Sequence, residues 1–202
     1  MTRPDSLQKL GAVLLAAGGS SRMGSPKQLL RIEDEALVTR MARRLVELEP
    51  ASVMVVTGAA SQAVKDQLSG LPVQIVHNPR WQDGMAGSLA AGVKNLPVEV
   101  DGVLIMLCDQ WRVGVEDLRG LVRTWNTDIS HIAAACWDEE GRQVIGPPAI
   151  FPRALFEELI NLRGDRGARA VIGKHRENAS LVVMKNARFD LDKPADLKEF
   201  PA

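Results

Sequence analysis

Apolar residues come in short runs along the chain, and most of the runs end in polar or glycine-rich turns. Leu10 to Ala17 carries no charge and stops at Gly18-Gly19-Ser20-Ser21, the pattern of a buried strand feeding a loop. Leu37, Val38, Met41, Leu45, Val46 and Leu48 fall close to one helical face, with Arg40, Arg43, Arg44 and Glu47 opposite, so an amphipathic helix is predicted over 37–48. Ser52 to Val56 reads as a strand, Ser61 to Leu68 as a helix stopped by Gly70 and Pro72, and Val73 to Val76 as a further strand. His77 to Ser88 is too polar and glycine-rich for core, and a helix is predicted from Leu89 to Val93. Val103 to Cys108 is the most apolar run and stops at Asp109-Gln110, as a central strand covered on both faces would.

The alternation continues to the C-terminus. A helix is predicted over Val115 to Trp125, a strand over His131 to Cys136, an extended crossing over Gly146 to Phe151, and a helix from Pro152 to Leu162 with the proline in its first turn. A helix ending near Lys174 and a strand from Leu181 to Met184 follow. Strands alternating with helices, without repeats or a linker, predict a three-layer α/β/α sandwich on a mostly parallel, Rossmann-like sheet, one domain over 1–202. Ligands of such sheets bind at the carboxyl ends of the strands. The Gly18 loop, the 78–88 loop and Asp109 all fall at that edge.

Composition narrows the choice of ligand. Lys and Arg together number 25, as do Asp and Glu, so no excess field draws the chain to nucleic acid or to an anionic membrane face. Cys108 and Cys136 lack metal-knuckle or CxxC spacing, which predicts reduced thiols and a cytoplasmic protein. No apolar stretch nears the ~20 residues that a spanning helix needs. Arg3 and Lys9 before GAVLLAA imitate a signal peptide, but Asp5 and the immediate Gly-Gly-Ser-Ser-Arg argue against export.

Gly19 and Gly24 stand at Walker A spacing, yet Ser25-Pro26-Lys27 follows instead of Lys-Ser/Thr, so a P-loop is not met. The loop still offers glycines and two cations, Arg22 and Lys27, suited to phosphate oxygens; a surface turn with solvated cations is the other reading. Asp109, Asp190 and Asp192 could share Mg²⁺ with a triphosphate or cap neighbouring turns. No GxSxG elbow occurs, and His77, His131 and His175 lack zinc spacing. Trp81 is expected in the core.

Leu15-Ala16-Ala17-Gly18-Gly19-Ser20-Ser21-Arg22-Met23-Gly24, with Lys27 and Leu29-Leu30, resembles the signature of the MobA-like nucleotidyltransferases. Asn78-Pro79, Trp81, Gly84-Met85, Ser88-Leu89, Asp109-Gln110, Gly164 to Arg169 and Asp190 to Pro194 resemble its molybdenum cofactor cytidylyltransferase branch, so the likeness covers nearly the whole chain. Ala17 and the Gly-Met-Ala-Gly-Ser-Leu loop are similar to the cytidylyl enzymes rather than the guanylyl ones. Trp111 stands where the family commonly has proline.

The resemblance implies a sheet of the nucleotide-diphospho-sugar transferase type and transfer of CMP from CTP to the terminal phosphate of molybdopterin cofactor, releasing pyrophosphate. It implies nucleotide contacts from Ala16, Ala17, Gly18, Gly19 and Ser20. Arg22 and Lys27 would hold the phosphates as catalytic cations, and Asn78, Gly84 and Ser88 would border base and ribose. Catalytic Asp109, with Asp192, would hold Mg²⁺, and Gly146, Pro147, Asp165 and Arg166 would meet a phosphorylated pterin acceptor. A molybdenum hydroxylase is the implied partner. Transfer from GTP or another NTP to another phosphorylated acceptor, or a non-catalytic molybdopterin carrier, are the alternatives.

Overall fold

Seven strands make one sheet in the computed structural model, which describes residues 9–20, 24–191, 195–196 and 200. β1 (Leu10–Ala16) is buried at every position, the consequence of an apolar run flanked by a strand on each edge. β2 (Arg31–Ile32) and β3 (Glu35–Ala36) form a separate small hairpin, followed by α1 (Leu37–Val46), β4 (Ser52–Thr57), α2 (Ser61–Gln67) and β5 (Gln74–His77). α3 (Met85–Lys94), β6 (Gly102–Leu107), α4 (Val115–Thr127), β7 (Ile132–Glu139) and β8 (Arg142–Pro152) come next, then α5 (Phe156–Ile160), α6 (Ala168–Lys174) and β9 (Ala179–Val183). The sheet order is β5-β4-β1-β6-β8-β7-β9. β8 pairs antiparallel with both neighbours and the other pairings are parallel.

Side chains of β1 alternate between two cores. Ala12, Leu14 and Ala16 face the core that takes in the apolar sides of α1, α2 and α4, while Val13 and Leu15 face the core shared with α3, α5 and α6. The three layers expected from the alternation are therefore present.

Several element boundaries differ from the sequence reading. Gly146 to Phe151 is the buried half of a full sheet strand, not a crossing. Its two prolines cannot donate to a ladder, and they lie at the register break opposite Ala134 and Ala135. Pro152 is extended and closes β8 beside Gly102 of β6, so the helix after it starts late and is short. α3 begins at Met85, four residues before the expected start, and Ser88 and Asn78 are buried although their loop looked too polar for core. The β2–β3 hairpin has no sequence signal in glycine, because Glu33 and Asp34 supply its two positive-φ positions.

The chain places β4 and β5 on one side of β1 and β6 on the other, so a topological switch point opens at the carboxyl ends of β1 and β6. Leu15 and Leu107 are register partners there.

Candidate active site

A cavity of about 310 Å³ sits at that switch point, walled by the residues that follow β1 and β6, by the turn before α3, and by Asp165. Leu15, Leu107 and Cys108 supply apolar surface at its base, and Lys27, Gln28, Ser88, Asp109 and Asp165 its polar groups.

The segment after β1 is clipped in place by side chains. Gln28, 2% exposed, donates from Nε2 to the carbonyls of Ala16 (3.0 Å) and Gly18 (2.6 Å). Ser20, at φ 51°, accepts the Lys27 backbone N–H at 3.0 Å, which sets the 3₁₀ turn carrying Lys27 over the cavity. The two glycines divide their roles. Gly18 lines the cavity with nothing near the position of a Cβ, whereas a Cβ on Gly19 would lie 2.7 Å from the Trp81 indole. Gly58 yields to the same ring. Trp81 is thereby seated half-buried, packed against the core shared with α3, α5 and α6 as expected and also walling the cavity, a second role traceable to two glycines in other loops.

Lys27 and Asp109, 82 positions apart in sequence, form an ion pair, with side chains 18% and 13% exposed. The Lys27 ammonium also donates to the Leu191 carbonyl at 3.2 Å. Asp109 Oδ1 is buried with no hydrogen-bond partner, a carboxylate oxygen withdrawn from water and still able to accept. Beside it, burial and the Asp109 charge push the Cys108 thiol far up, so that thiol stays protonated and is no nucleophile.

Gln110 is the hinge pin of this corner. Its buried Nε2 donates to the carbonyls of Pro147 (2.7 Å) and Ala187 (3.1 Å), joining the end of β6 to β8 and to the segment that leads to Asp190. Trp111, in the proline position, packs edge-on to Phe200 at 5.4 Å. Arg44 of α1 donates to the Trp111 and Val113 carbonyls at 2.8 and 2.6 Å, and burial, with Arg40 nearby, lowers its pKa. Gln110→Ala is expected to cost about 1–3 kcal/mol because two buried carbonyls lose their donor; a urea midpoint equal to wild type would refute that linkage.

The remaining expected site residues are dispersed. Asn78 lies outside the cavity and donates from Nδ2 to Ser88 Oγ at 3.0 Å, so it supports a wall residue. Gly84, at φ 111°, lines the cavity and backs onto Gly164 and Asp165. Gly146 and Pro147 are buried in β8 and line no part of the cavity; Gly146 makes room for the Arg169 guanidinium, 3.0 Å from where a Cβ would stand. Arg166 is exposed beyond Asp165. Arg22 and Asp192 lie outside the described residues. Among the described residues no cluster of three or more His, Cys, Asp or Glu is arranged to hold a metal. Gln28, Trp81, Gln82 and Met85 line the wall although the sequence assigned none of them a role there; Gln28 carried no signal beyond its place after Lys27.

A model of the MobA-like NTP transferase domain matches residues 12–179. The bifunctional protein GlmU of Francisella tularensis is 34% identical over 122 residues, 59% of this chain and 26% of that protein, so the chain spans about a quarter of these curated relatives. Among solved structures, Rv0371c from Mycobacterium tuberculosis superposes with a TM-score of 0.84 at 24% identity, over 96% of this chain and 98% of its own. A nucleotidyl transferase from Methanothermobacter thermautotroptrophicus gives 0.76 at 22%, over 95% of each chain. At those identities the likeness is one of fold.

Proposed function

Because the chain belongs to the MobA-like NTP transferase family, we propose that it is a nucleotidyltransferase moving CMP from CTP to the terminal phosphate of molybdopterin cofactor. The observation that carries the reading is the meeting of Lys27 and Asp109 over a cavity at the β1/β6 switch point. A cation and a carboxylate brought there from distant positions are what a triphosphate and its counterion require.

In this reading an acceptor phosphate oxygen attacks the α-phosphorus of CTP. A P–O bond forms there as the bond from the α-phosphorus to the bridging oxygen breaks, and pyrophosphate leaves with that electron pair. The acceptor phosphate is already an anion, so no general base is needed. The protein supplies placement and charge. Lys27, with Arg22, holds the β- and γ-phosphates, which requires its ammonium to exchange Asp109 for phosphate oxygens. Ala17, Gly18, Gly84 and Ser88 border the nucleoside, and Trp81 closes that side. Asp165 and Arg166 face the acceptor.

Mg²⁺ suits Asp109. The unpartnered Oδ1 is a hard donor, and magnesium takes one or two carboxylates while phosphates and water complete its shell, so a protein triad is not called for. Asp109 and Asp192 would hold the ion, which would neutralise charge developing between the α- and β-phosphates. The choice of CTP is supported by Ala17 and the loop from Gly84 to Leu89. The proposed setting is the cytoplasm, with a molybdenum hydroxylase taking the product; no described helix is long and apolar enough to cross a membrane.

The four common NTPs, each supplied with Mg²⁺ and purified molybdopterin cofactor, distinguish the readings. CTP is expected to give the dinucleotide with one pyrophosphate per turnover. Turnover with GTP alone would overturn the base assignment, turnover only with a sugar phosphate would overturn the acceptor, and cofactor binding without pyrophosphate would favour a carrier.

A further inference from the structure

A second concavity, of about 630 Å³, runs between α3, the end of β5 and the segment after α5. Its floor is the small-residue face of α3, where Ala86 and Ala90 and, beside them, Gly87 and Ala91 succeed one another at helical spacing. Nothing larger than a methyl stands between a bound group and the helix backbone.

Three cations from three elements border this floor: Arg80 after β5, Lys94 at the end of α3, and Arg163 after α5. Among the described residues none of them forms an ion pair, although Asp83 shares the groove. Arg163 uses one nitrogen, Nη1, on the carbonyls of Leu162 (2.9 Å) and Ile160 (3.5 Å), which leaves Nε and Nη2 of its N–H fork uncommitted. Elsewhere several surface cations are matched, as Arg40 is by Glu33 and Glu35, Arg119 by Glu116 and Lys174 by Glu158. In a chain whose charges balance overall, three unmatched cations around one groove form a local positive field.

The groove and the Asp109 cavity are two sides of one wall. Gly164 lines the groove and Asp165 the cavity; Ala86 lines the groove and Met85 the cavity. On the groove side the Ala86 N–H donates to the Gly164 carbonyl at 3.0 Å, and one hydrogen bond crosses the wall, from Asn78 in the groove to Ser88 in the cavity.

We propose that this groove is a second ligand site, for a phosphate-bearing small molecule of two or more negative charges and up to nucleotide size. A phosphate dianion matches unpaired guanidinium and ammonium groups, the volume lies within the range of small-molecule sites, and the bare α3 floor admits a flat organic body. The site is independent of the chemistry assigned to Asp109, and an occupant would press on the back of the wall that holds Ser88 and Asp165.

The test is amide NMR of the full chain titrated with inorganic pyrophosphate and, separately, with AMP. Expected are saturable shifts at the Gly87, Ala90 and Ala91 amides that persist in Lys27→Ala, where the catalytic cavity has lost one of the two cations assigned to phosphate. They should weaken at least tenfold in affinity in the Arg80→Ala/Lys94→Ala double variant, with Tm unchanged. Tighter binding of pyrophosphate would assign a free polyphosphate, and tighter binding of AMP a phosphate on an organic body. Absence of shifts at these amides with both probes, or equal affinity in the double variant, would overturn the proposal.

Discussion

Asp109→Asn is expected to lower pyrophosphate release by about 10²–10³-fold, the usual loss when a preorganised charge at a reacting centre is removed. Asparagine keeps the shape of the side chain and can still accept from Lys27, so the variant tests charge rather than packing. Removing one partner of a fully buried ion pair costs about 3–5 kcal/mol. Here both side chains retain some exposure and Lys27 keeps the Leu191 carbonyl, so a smaller loss of about 1–2 kcal/mol is expected. Calorimetry should show CTP still binding, because Lys27 is released to the phosphates. Turnover at the wild-type rate would remove Asp109 from the reaction. Loss of CTP binding with the fold intact would make Asp109 a nucleotide contact instead of a metal ligand.

The sheet was legible in the chain because its signal is local. β1 and β6 are uninterrupted apolar runs, and such runs need two covered faces wherever they sit. The carboxyl-edge site followed from the same pattern, since Gly18 and Asp109 directly succeed those strands. What escaped depended on partners distant in sequence. Trp81 lines the cavity because Gly19 and Gly58 leave space for its ring, and no window around position 81 contains either glycine. Asn78 looks like a ligand contact in a polar loop, yet its amide is spent on Ser88. Gly146 suggested a surface for the acceptor, and its lack of a side chain serves Arg169. In each case the neighbour that decides what the residue does lies far away in sequence.

Gly84→Ala is expected to be the most damaging single-methyl change in the cavity wall. At φ 111° an L side chain is strained whatever the space, a cost of about 1–3 kcal/mol. The added Cβ would also lie 2.4 Å from both the carbonyl carbon and oxygen of Gly164. Those are backbone atoms and cannot rotate aside as a side-chain tip would. Overpacking of this kind adds about 1–3 kcal/mol, so the total approaches a sizeable part of the 5–15 kcal/mol that holds a typical domain together. For a chain of this size each kcal/mol lowers Tm by about 2–4 °C, which puts the expected fall at roughly 5–20 °C. The strain has one local outlet, separation of the 81–84 turn from the 164–165 segment. That movement breaks the Ala86 to Gly164 hydrogen bond and carries Asp165 out of the cavity. Acceptor-dependent turnover should therefore fall more than CTP binding. Gly18→Ala is the control for stability, since the same methyl there meets nothing within 4 Å and Tm should hold. If the two variants melt together, close approach of Gly84 to Gly164 is not what shapes this wall.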